Sequence, residues 1–416
     1  MIKKIAQLLL TLLLTSATNF ASPRASDQII RQKKEQAIAS KQREEFIPPT
    51  FQSLRQKCGC KKQCKPDISF GIADIKYNDG MLKILEFGEG TISMFKGFDS
   101  LHGSGAMWSR IWEYCAKQCP NICLVDYDLN APLKRAAVGY HTLAKQHAIT
   151  CNSIDTLLRF PAFKHNAQSG KTQLVVIRHC KATSEEFEGF TEHYPSALIC
   201  NAATSHFVNN KNRTDHLFTG DLRRYRPYAT LITKKDAYKQ AAAILANSDA
   251  PAFVIKPIAS SRGRGVLFAL RDQLEAMIKK ITSLNTRQPM SFSENVEFWR
   301  FNTDAHFLIE SCEASKPVTV GGNPYDATLR LVYGLSHKDG YVEASAIGYY
   351  WKLPALPLNA RGSFIEKKLS RIVEGNQCAA ELAPEDEAVV TATMLPILNN
   401  VYTTMLQINE AKSVTA

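Results

Sequence analysis

The sequence predicts an α/β region followed by a mixed α+β half. Between residues 67 and 210, apolar runs such as NICLVDYD, TQLVVIRHC and SALICNA alternate with helical stretches such as PLKRAAVGYHTLAKQHA. Strands that alternate with helices are typical of an α/β layer. After residue 210 the apolar strands HFLIES, TLRLVYGL and YVEASAIGYYWKL follow one another, and helices precede and follow them. No internal repeat is visible, so a repeat architecture is not expected.

The individual elements can be predicted in chain order. Two apolar runs around Asn78-Asp79-Gly80 predict a first hairpin, because Asp-Gly suits the positive φ values of a tight turn. An alanine-rich helix is predicted over about 235–245, and the strand after it ends at Lys256. RDQLEAMIKKITSL predicts another helix, and the last segment predicts a closing helix that is interrupted at Pro396.

Composition and charge bound the class of protein. The chain has 416 residues, which is enough for two or three domains, and 45% of them are hydrophobic, as in an ordinary globular protein. Its formal charge is +12 and its pI is near 9.1. Such a charge favours an anionic partner such as a nucleotide, a nucleic acid, a lipid surface or an acidic polypeptide. Net charge alone does not choose among these partners.

The N-terminus predicts export. Residues 1–21 have two lysines, an apolar run from Ile5 to Leu14 and small residues up to Ala21, which is the layout of a secretory signal peptide. An ordinary amphipathic helix is the alternative interpretation. Residues 22–50 are charged and poor in large apolar side chains, so they predict a tether. We therefore expect a periplasmic or secreted protein with no stable membrane insertion after the signal is removed.

The cysteines predict disulfides in that compartment. Six of the eleven cysteines form two tight groups, CGCKKQC and CAKQCPNIC. Neither group contains the paired C-x2-C spacing that structural zinc sites prefer. Disulfides between the groups are expected, and metal binding or unpaired thiols are the alternatives. The odd total leaves at least one cysteine without an intramolecular partner.

The segment 253–270, FVIKPIASSRGRGVLFAL, is the most specific feature of the chain. A strand ends in Lys256, and a loop with two arginines between glycines leads directly into another strand. This is not a P-loop, because a P-loop ends in Gly-Lys-Ser/Thr at the start of a helix. Strand, glycine loop and strand together suit a lid over a nucleotide, since glycines let the backbone approach phosphates and cations offset their charge. A solvated basic hairpin and a nucleic-acid loop are the alternatives.

Other segments make a nucleotide lid the preferred interpretation. Lys211 lies ahead of Lys256 in FVNNKNRTDHLF, and the strand HFLIES leads into Glu310 and Glu313. Asp326 and Arg330 flank the start of the strand TLRLVYGL, and Lys352 ends the next strand in IGYYWKLP.

This order of segments resembles the ATP-grasp superfamily, and the lid is most similar to those of tubulin–tyrosine-ligase-type and glutathione-synthase-type ligases. The resemblance covers about residues 200–352. It implies an ATP-grasp fold, with two α+β subdomains that grip a nucleotide, preceded by an α/β domain. The implied domains are the α/β pre-ATP-grasp domain 51–210, the lid subdomain 211–300 and the C-terminal subdomain 301–416.

The resemblance also implies a function. It predicts an ATP-dependent carboxylate–amine ligase that acts through an acyl phosphate on a small-molecule or peptide substrate, with ATP and Mg²⁺ as cofactors. A degenerate, non-catalytic ATP-grasp protein that binds a ligand or partner is the alternative. The implied catalytic residues are Arg262, Arg264 and Arg330. The implied nucleotide-binding residues are Lys211, Lys256, Ser261, Gly263, Gly265, Glu310, Ser311, Cys312, Glu313 and Lys352.

Two departures from the family pattern concern the acids. Asp326 and Arg330 are four residues apart, whereas family members often carry Asp-x-Arg. For Mg²⁺ the predicted ligands are Asp326, Glu374 and Asn376, and the late Glu-Gly-Asn segment follows a stretch that reads as a helix. Glu343 and Asn359 are other candidate oxygen donors.

Two charged groups are interpreted as surface features. The hairpin acids Asp74, Glu86 and Glu89 are expected to be solvent-exposed rather than to line a substrate cleft. The basic run RRYRP at 223–227 interleaves an aromatic residue with arginines, as single-strand nucleic-acid binders do. No RNA-binding signature accompanies it, so no nucleic-acid partner is expected.

Overall fold

The fold is described from a computed structural model. The described residues are 67–89, 95–103, 105–118, 122–127, 148–150, 173–178, 198–200, 204, 208, 210–258, 260, 263–284, 294–338, 341–369 and 379–414. The predicted signal peptide, the tether and the cysteine group 58–64 lie outside these residues. Among the helices in these ranges, none combines the length and the apolar character that crossing a bilayer requires.

The described helices and strands are numbered in chain order. The helices are α1 Lys96–His102, α2 Ala106–Gln118, α3 Lys211–His216, α4 Ala237–Asn247, α5 Leu274–Ser283, α6 Glu294–Phe301, α7 Phe364–Lys368 and α8 Pro384–Val414. The strands are β1 Asp67–Asn78, β2 Met81–Glu89, β3 Ile122–Tyr127, β4 Ala148–Thr150, β5 Gln173–Arg178, β6 Leu198–Cys200, β7 Ala229–Thr233, β8 Ala252–Pro257, β9 Leu267–Leu270, β10 His306–Ser311, β11 Val318–Val320, β12 Asn323–Tyr325, β13 Thr328–Lys338, β14 Tyr341–Lys352 and β15 Ala379–Ala380.

An antiparallel sheet in the order β15-β14-β13-β1-β2, here called the central sheet, joins the two ends of the described chain. The predicted first hairpin is confirmed, because β1 pairs with β2 and the turn residues Asp79 and Gly80 have φ values of 45° and 83°. β1 and β2 come from the region expected to form the preceding domain, yet β1 pairs along its length with β13. The domain boundaries themselves remain predictions.

The two faces of the central sheet differ in chemistry. On one face, side chains of β1, β13 and β14 such as Leu331 and Tyr333 are buried together with Val401 and Tyr402 of α8. On the other face, α1 and α2 cover one end, where Phe70 packs on the ring of Trp108. Further along this second face, the apolar side chains give way to charged ones.

A second antiparallel sheet, β7-β10-β8-β9, is here called the lid sheet. Its apolar side chains pack against α4, α5 and α6, with Ile255, Phe307 and Ile309 fully buried at the centre. The predicted helix at 235–245 and the strand that ends at Lys256 are close to α4 and β8 as observed.

The region 122–200 contains a parallel sheet in the order β4-β3-β5-β6, and β6 lies beside β1. Parallel pairing in this region and antiparallel pairing in the central and lid sheets agree with the predicted mixture of an α/β and an α+β part. The strands β1 and β2, however, were predicted within the α/β part and belong to the antiparallel central sheet.

The closing helix differs from its prediction. α8 runs without a break from Pro384 to Val414 and contains Pro396, although an interruption was expected there. A proline inside a helix removes one backbone hydrogen bond. The helix continues because residues on both sides of the proline, including Met394 and Ile397, are buried against the central sheet. Tertiary packing therefore outweighs the local cost.

Candidate functional site

A row of polar side chains crosses the second face of the central sheet. Glu86 lies directly opposite Asp74, Asp74 opposite Arg330, and Arg330 opposite Tyr350 in the strand pairing. Directly paired residues of antiparallel strands share a face, as does Lys352 two positions after Tyr350. Strand register therefore brings together residues that are more than 250 positions apart in the chain.

The first cluster in this region is built around Asp74. Arg330 donates from Nε and Nη2 to the two carboxylate oxygens at 2.8 Å each, and Lys352 Nζ donates to Oδ2 at 2.7 Å. Burial would raise the pKa of Asp74, but the charges of Arg330 and Lys352 hold it below its ordinary value. The expectation that Asp74 is a hairpin-surface acid is wrong, because β13 and β14 bury it.

The second cluster is built around Glu310 at the end of β10. Lys256 donates to Glu310 Oε2, and Arg226 Nη2 donates to Oε1 at 3.1 Å. Arg226 also donates to Asp215 Oδ1 at 3.1 Å and to the carbonyl of Ile84 on β2 at 2.6 Å. Burial acts to raise the pKa of Glu310, but the two cations lower it on balance. Arg226 thus ties the lid sheet to the central sheet.

The third cluster is built around Asp326, immediately before β13. Lys76 Nζ donates to Asp326 Oδ1 at 2.8 Å, and Lys368 of α7 donates to Oδ2. The backbone N–H of Ser315 donates to the same Oδ1 at 2.9 Å. Burial favours a raised pKa for Asp326, and the two lysines lower it instead. This carboxylate therefore already binds two cations.

These three clusters share one arrangement and adjoin one another. In each, a single buried carboxylate is shared by two cations. The clusters of Asp74 and Asp326 therefore each keep one positive charge in excess, whereas in the second cluster Arg226 is also paired with Asp215. Lys211 lies 3.4 Å from Glu86 and acts electrostatically on Glu310, which links the first two clusters. Cys312 follows Glu310 of the second cluster by two residues, and it lies in the electrostatic field of Lys76 and Lys368 of the third cluster. We call these three clusters, with Lys211 and Glu86, the charged seam.

Lys211 lies at the base of the glycine loop. It begins α3, and its Nζ donates to the carbonyl of Ser260 at 2.5 Å while its backbone N–H donates to the carbonyl of Ile258 at 3.3 Å. Lys256 lies on the strand that enters the same loop. The structure therefore brings together the two lysines that the sequence pairs, although 45 positions separate them.

The glycine loop between β8 and β9 contains two residues with positive φ. Gly263 has φ 68° and Gly265 has φ 73°, a region that favours glycine. A Cβ on Gly265 would lie 2.4 Å from Phe298 and 2.7 Å from Pro257. Trp299 Nε1 of α6 donates to the Gly265 carbonyl at 2.8 Å, which holds this arm of the loop.

The arginines of the loop are only partly described. Arg264 is exposed beside these two glycines. Ser261 and Arg262 lie outside the described residues, so their predicted roles remain predictions.

The segment after Glu310, which is expected to bind nucleotide, uses two of its backbone donors within the protein. The N–H of Ser311 donates to the carbonyl of Tyr228 at 2.8 Å, and that of Cys312 donates to the carbonyl of Ala252 at 2.9 Å. These two donors therefore serve the lid sheet. Glu313 is half-buried and accepts a hydrogen bond from Ser311 Oγ at 2.6 Å. Of the two acids expected to bind nucleotide, Glu310 is held in its ion pairs and Glu313 is the more accessible.

The described residues do not form a recognisable magnesium site. No group of three or more His, Cys, Asp or Glu side chains suited to a metal ion occurs among them. Asp326 is shared by two lysines, and Glu374 and Asn376 lie outside the described ranges. No residue is therefore assigned to Mg²⁺, and its predicted ligands remain predictions.

Sequence reasoning missed four members of these networks: Arg226, Asp215, Lys76 and Lys368. The run RRYRP was interpreted as a solvated face, but Arg226 is buried within it. One signal was available for Lys76, because it follows Asp74 at a spacing of two in an otherwise apolar strand. That spacing places both side chains on one face.

Comparisons with known proteins give distant neighbours of the whole fold. No protein-family model matches the sequence, and no curated protein matches it. A protein named as a gamma-glutamylcysteine synthetase from Methylobacillus flagellatus is similar at 11% identity and a TM-score of 0.43, over 86% of this chain and 92% of that one.

Two further solved structures extend this likeness. The D-alanyl-alanine synthetase A of Vibrio cholerae matches 68% of this chain and 81% of its own, at 10% identity and a TM-score of 0.34. The biotin carboxylase domain of the Hydrogenobacter thermophilus 2-oxoglutarate carboxylase, crystallised with MgADP, matches 71% and 56%, at 14% identity and a TM-score of 0.35. These neighbours are ATP-grasp enzymes. At such identities and TM-scores, they carry neither a substrate nor residue roles to this chain.

Proposed function

We propose that this chain binds ATP along the charged seam and uses it to join a carboxylate to an amine. The observation that carries the proposal is the repeated sharing of one buried carboxylate by two cations. An excess of positive charge held in a partly desolvated place favours a polyanion. A glycine loop with positive φ values lies at the same place, and such a loop lets backbone N–H groups approach phosphates.

The residues divide into two groups by position. Lys211 and Lys256 lie at the base of the glycine loop and would hold the phosphates, with Gly263 and Gly265 covering them. Arg330 and Lys352 lie on the central sheet, across Glu86 from these lysines. They would stabilise the negative charge that spreads over a phosphoryl group during transfer.

The proposed reaction has two steps. A carboxylate oxygen forms a bond to the γ-phosphorus, and the bond to the ADP oxygen breaks. The amine nitrogen then forms a bond to the carbonyl carbon, inorganic phosphate leaves, and the amine loses its proton. Asp74 fixes Arg330 through two parallel hydrogen bonds, so the guanidinium is oriented before substrate arrives.

Export through residues 1–21 is also part of the proposal and requires delivery to a compartment that contains ATP.

A second candidate function is nucleotide binding without turnover. The acids of the three clusters are each held by two cations, and the described residues offer no metal-binding group. A protein with these features would bind ATP without hydrolysing it, and a partner would recognise the nucleotide-bound form.

The first prediction tests nucleotide binding itself. MgATP should raise the thermal midpoint of the wild-type chain, because a ligand of the folded state stabilises it by about 2.7 kcal/mol at one hundred times its dissociation constant. Lys256→Met should lose most of this shift. Lys279→Met is the matched control, since Lys279 is exposed on α5, and it should keep the full shift.

Three outcomes distinguish the candidates. A shift lost in Lys256→Met, with ADP released in the presence of some carboxylate and amine, supports the ligase. The same shift without ADP release supports nucleotide binding alone. The absence of any shift in the wild type at millimolar MgATP contradicts both.

A further inference from the structure

Glu86 differs from the other acids of the charged seam in its exposure. Its side chain is 40% exposed, whereas those of Asp74, Glu310 and Asp326 are 10% exposed or less. The buried acids each hold two cations in place. Glu86 has a carboxylate that solvent and a small molecule can reach, next to a seam that is otherwise positively charged.

A β-bulge places Glu86 on the charged face. The pairing of β1 with β2 runs from Ile75 opposite Ile84 to Asp74 opposite Glu86, so Leu85 is an extra residue. Without the extra residue, Leu85 would lie opposite Asp74, Glu86 would point into the apolar core beside Ile84, and Phe87 would turn to the other face. With it, Ile84 and Phe87 both stay in the core, and Glu86 joins the charged row. Bulges of this kind commonly re-aim a side chain beside a functional site.

The surroundings of Glu86 connect both halves of the proposed reaction. Its Oε1 lies 3.4 Å from Lys211 Nζ at the base of the glycine loop. Lys352, which is bound to Asp74 beside it, also lies within its electrostatic field. Glu86 therefore lies between the residues proposed to hold the phosphates and those proposed to hold the acyl phosphate.

We propose that Glu86 binds the amino group of the second substrate in its ammonium form and positions it beside the acyl phosphate. The ammonium then loses one proton to the solvent that reaches this carboxylate, and the resulting neutral amine attacks. The inference rests on the proposed ligase function and specifies its amine as a primary amine that is cationic in solution. The excess positive charge of the seam repels such an amine, so its capture needs an accessible carboxylate. Among the described acids of the seam, Glu86 has that accessibility.

Glu86→Gln tests this inference in the full chain. ADP release is first measured with the twenty amino acids, succinate and glutarate as carboxylates, each offered amino acids or hydroxylamine as the amine. Hydroxylamine is uncharged near neutral pH and does not need an ammonium site. In Glu86→Gln the KM for a cationic amine should rise about tenfold or more, because a charge-assisted hydrogen bond is lost. ADP release with hydroxylamine and the KM for ATP should stay within about twofold of the wild type, since neither needs the ammonium site.

The control variants separate position from charge. Glu113→Gln removes an exposed acid from α2, which packs on the central sheet, and should change the KM for neither amine. Glu86→Asp keeps the charge and should restore part of the affinity for the cationic amine. The thermal midpoint of each variant without ligand checks that it is folded.

The possible failures are distinguishable. No ADP release in the wild type with any pair contradicts the ligase function itself, and the inference with it. An unchanged KM for the cationic amine in an active Glu86→Gln overturns the inference alone. Equal losses with hydroxylamine and the cationic amine, or a raised Mg²⁺ requirement, would also overturn it, because Glu86 would then act on the acyl phosphate or the metal.

Discussion

At the scale of single residues, the function of a charge in this protein depends on how many partners share it. Asp74 and Glu86 are neighbours on paired strands and have the same chemistry in isolation. Asp74 is held by Arg330 and Lys352 and is buried, so it orients other groups. The side chain of Glu86 is 40% exposed and lies 3.4 Å from Lys211. Two adjacent acids are thus suited to two different tasks.

Asp74→Asn should destabilise the fold by about 3 kcal/mol at neutral pH, because removing one partner of a buried ion pair leaves the other charges uncompensated. Here the two uncompensated charges are Arg330 and Lys352. Urea unfolding measures the difference, and Asp79→Asn in the hairpin turn is a control that should have a small effect. A loss below about 1 kcal/mol would contradict the structural role of Asp74.

The difference in the free energy of unfolding between wild type and Asp74→Asn should become smaller as the pH falls. The pKa of Asp74 is lowered on folding, so its contribution to stability is fully present above the unfolded pKa of about 4. It is lost as the pH falls below that value toward the folded pKa. The gap between wild type and Asp74→Asn should therefore narrow at acid pH.

The sequence could predict some of these residues and not others, for a physical reason. Lys256 and Glu310 each end an apolar strand, so their position at a sheet edge is visible locally. The burial of Asp74 depends on the pairing of β1 with β13. Its partner Arg330 on β13 is 256 positions away in the chain, and no local pattern indicates that pairing. The same limit applies to Lys368, whose partner Asp326 comes from a different element.

At the scale of elements, irregularities determine the geometry of the site. The bulge at Leu85 turns Glu86 toward the charged face, and the positive φ values of Gly263 and Gly265 shape the loop. The glycine loop can be predicted from the sequence, because Gly263 and Gly265 flank a single arginine. It does not predict the bulge, because LKILEF also fits an unbroken strand.

Gly265→Ala should destabilise the lid sheet by several kcal/mol. An alanine at φ 73° costs about 1–2 kcal/mol in backbone strain, and its Cβ would overlap Phe298 and the ring of Pro257. Gly263→Ala is a matched control with a similar φ of 68°, where the nearest atom to a Cβ is 3.6 Å away on Leu369. It should lose only the strain.

Urea unfolding of the two variants measures these costs. Equal losses would show that the backbone conformation alone limits this loop. They would also contradict the close packing of Gly265 against α6.

At the scale of the whole molecule, charge has two distinct locations. The chain carries a formal charge of +12, and exposed side chains supply a part of it that salt screens readily. The excess of the charged seam is different, because the side chains of its three clusters are largely buried. Buried charges are screened less by salt than exposed ones. The composition predicts an anionic partner, whereas the location of the seam indicates where its phosphates would bind.

If the seam recognises phosphates, inorganic tripolyphosphate should stabilise the protein against heat, and adenosine alone should do so much less. Tripolyphosphate supplies the polyanion that Lys211 and Lys256 would hold, while the two N–H donors after Glu310 are already bonded within the lid sheet. The stabilisation should disappear in Lys256→Met and persist in Lys279→Met. Binding to exposed basic side chains would instead be lost at high salt and be equal in both variants. Stabilisation by adenosine alone, without an effect of tripolyphosphate, would contradict phosphate recognition and place the affinity at the base.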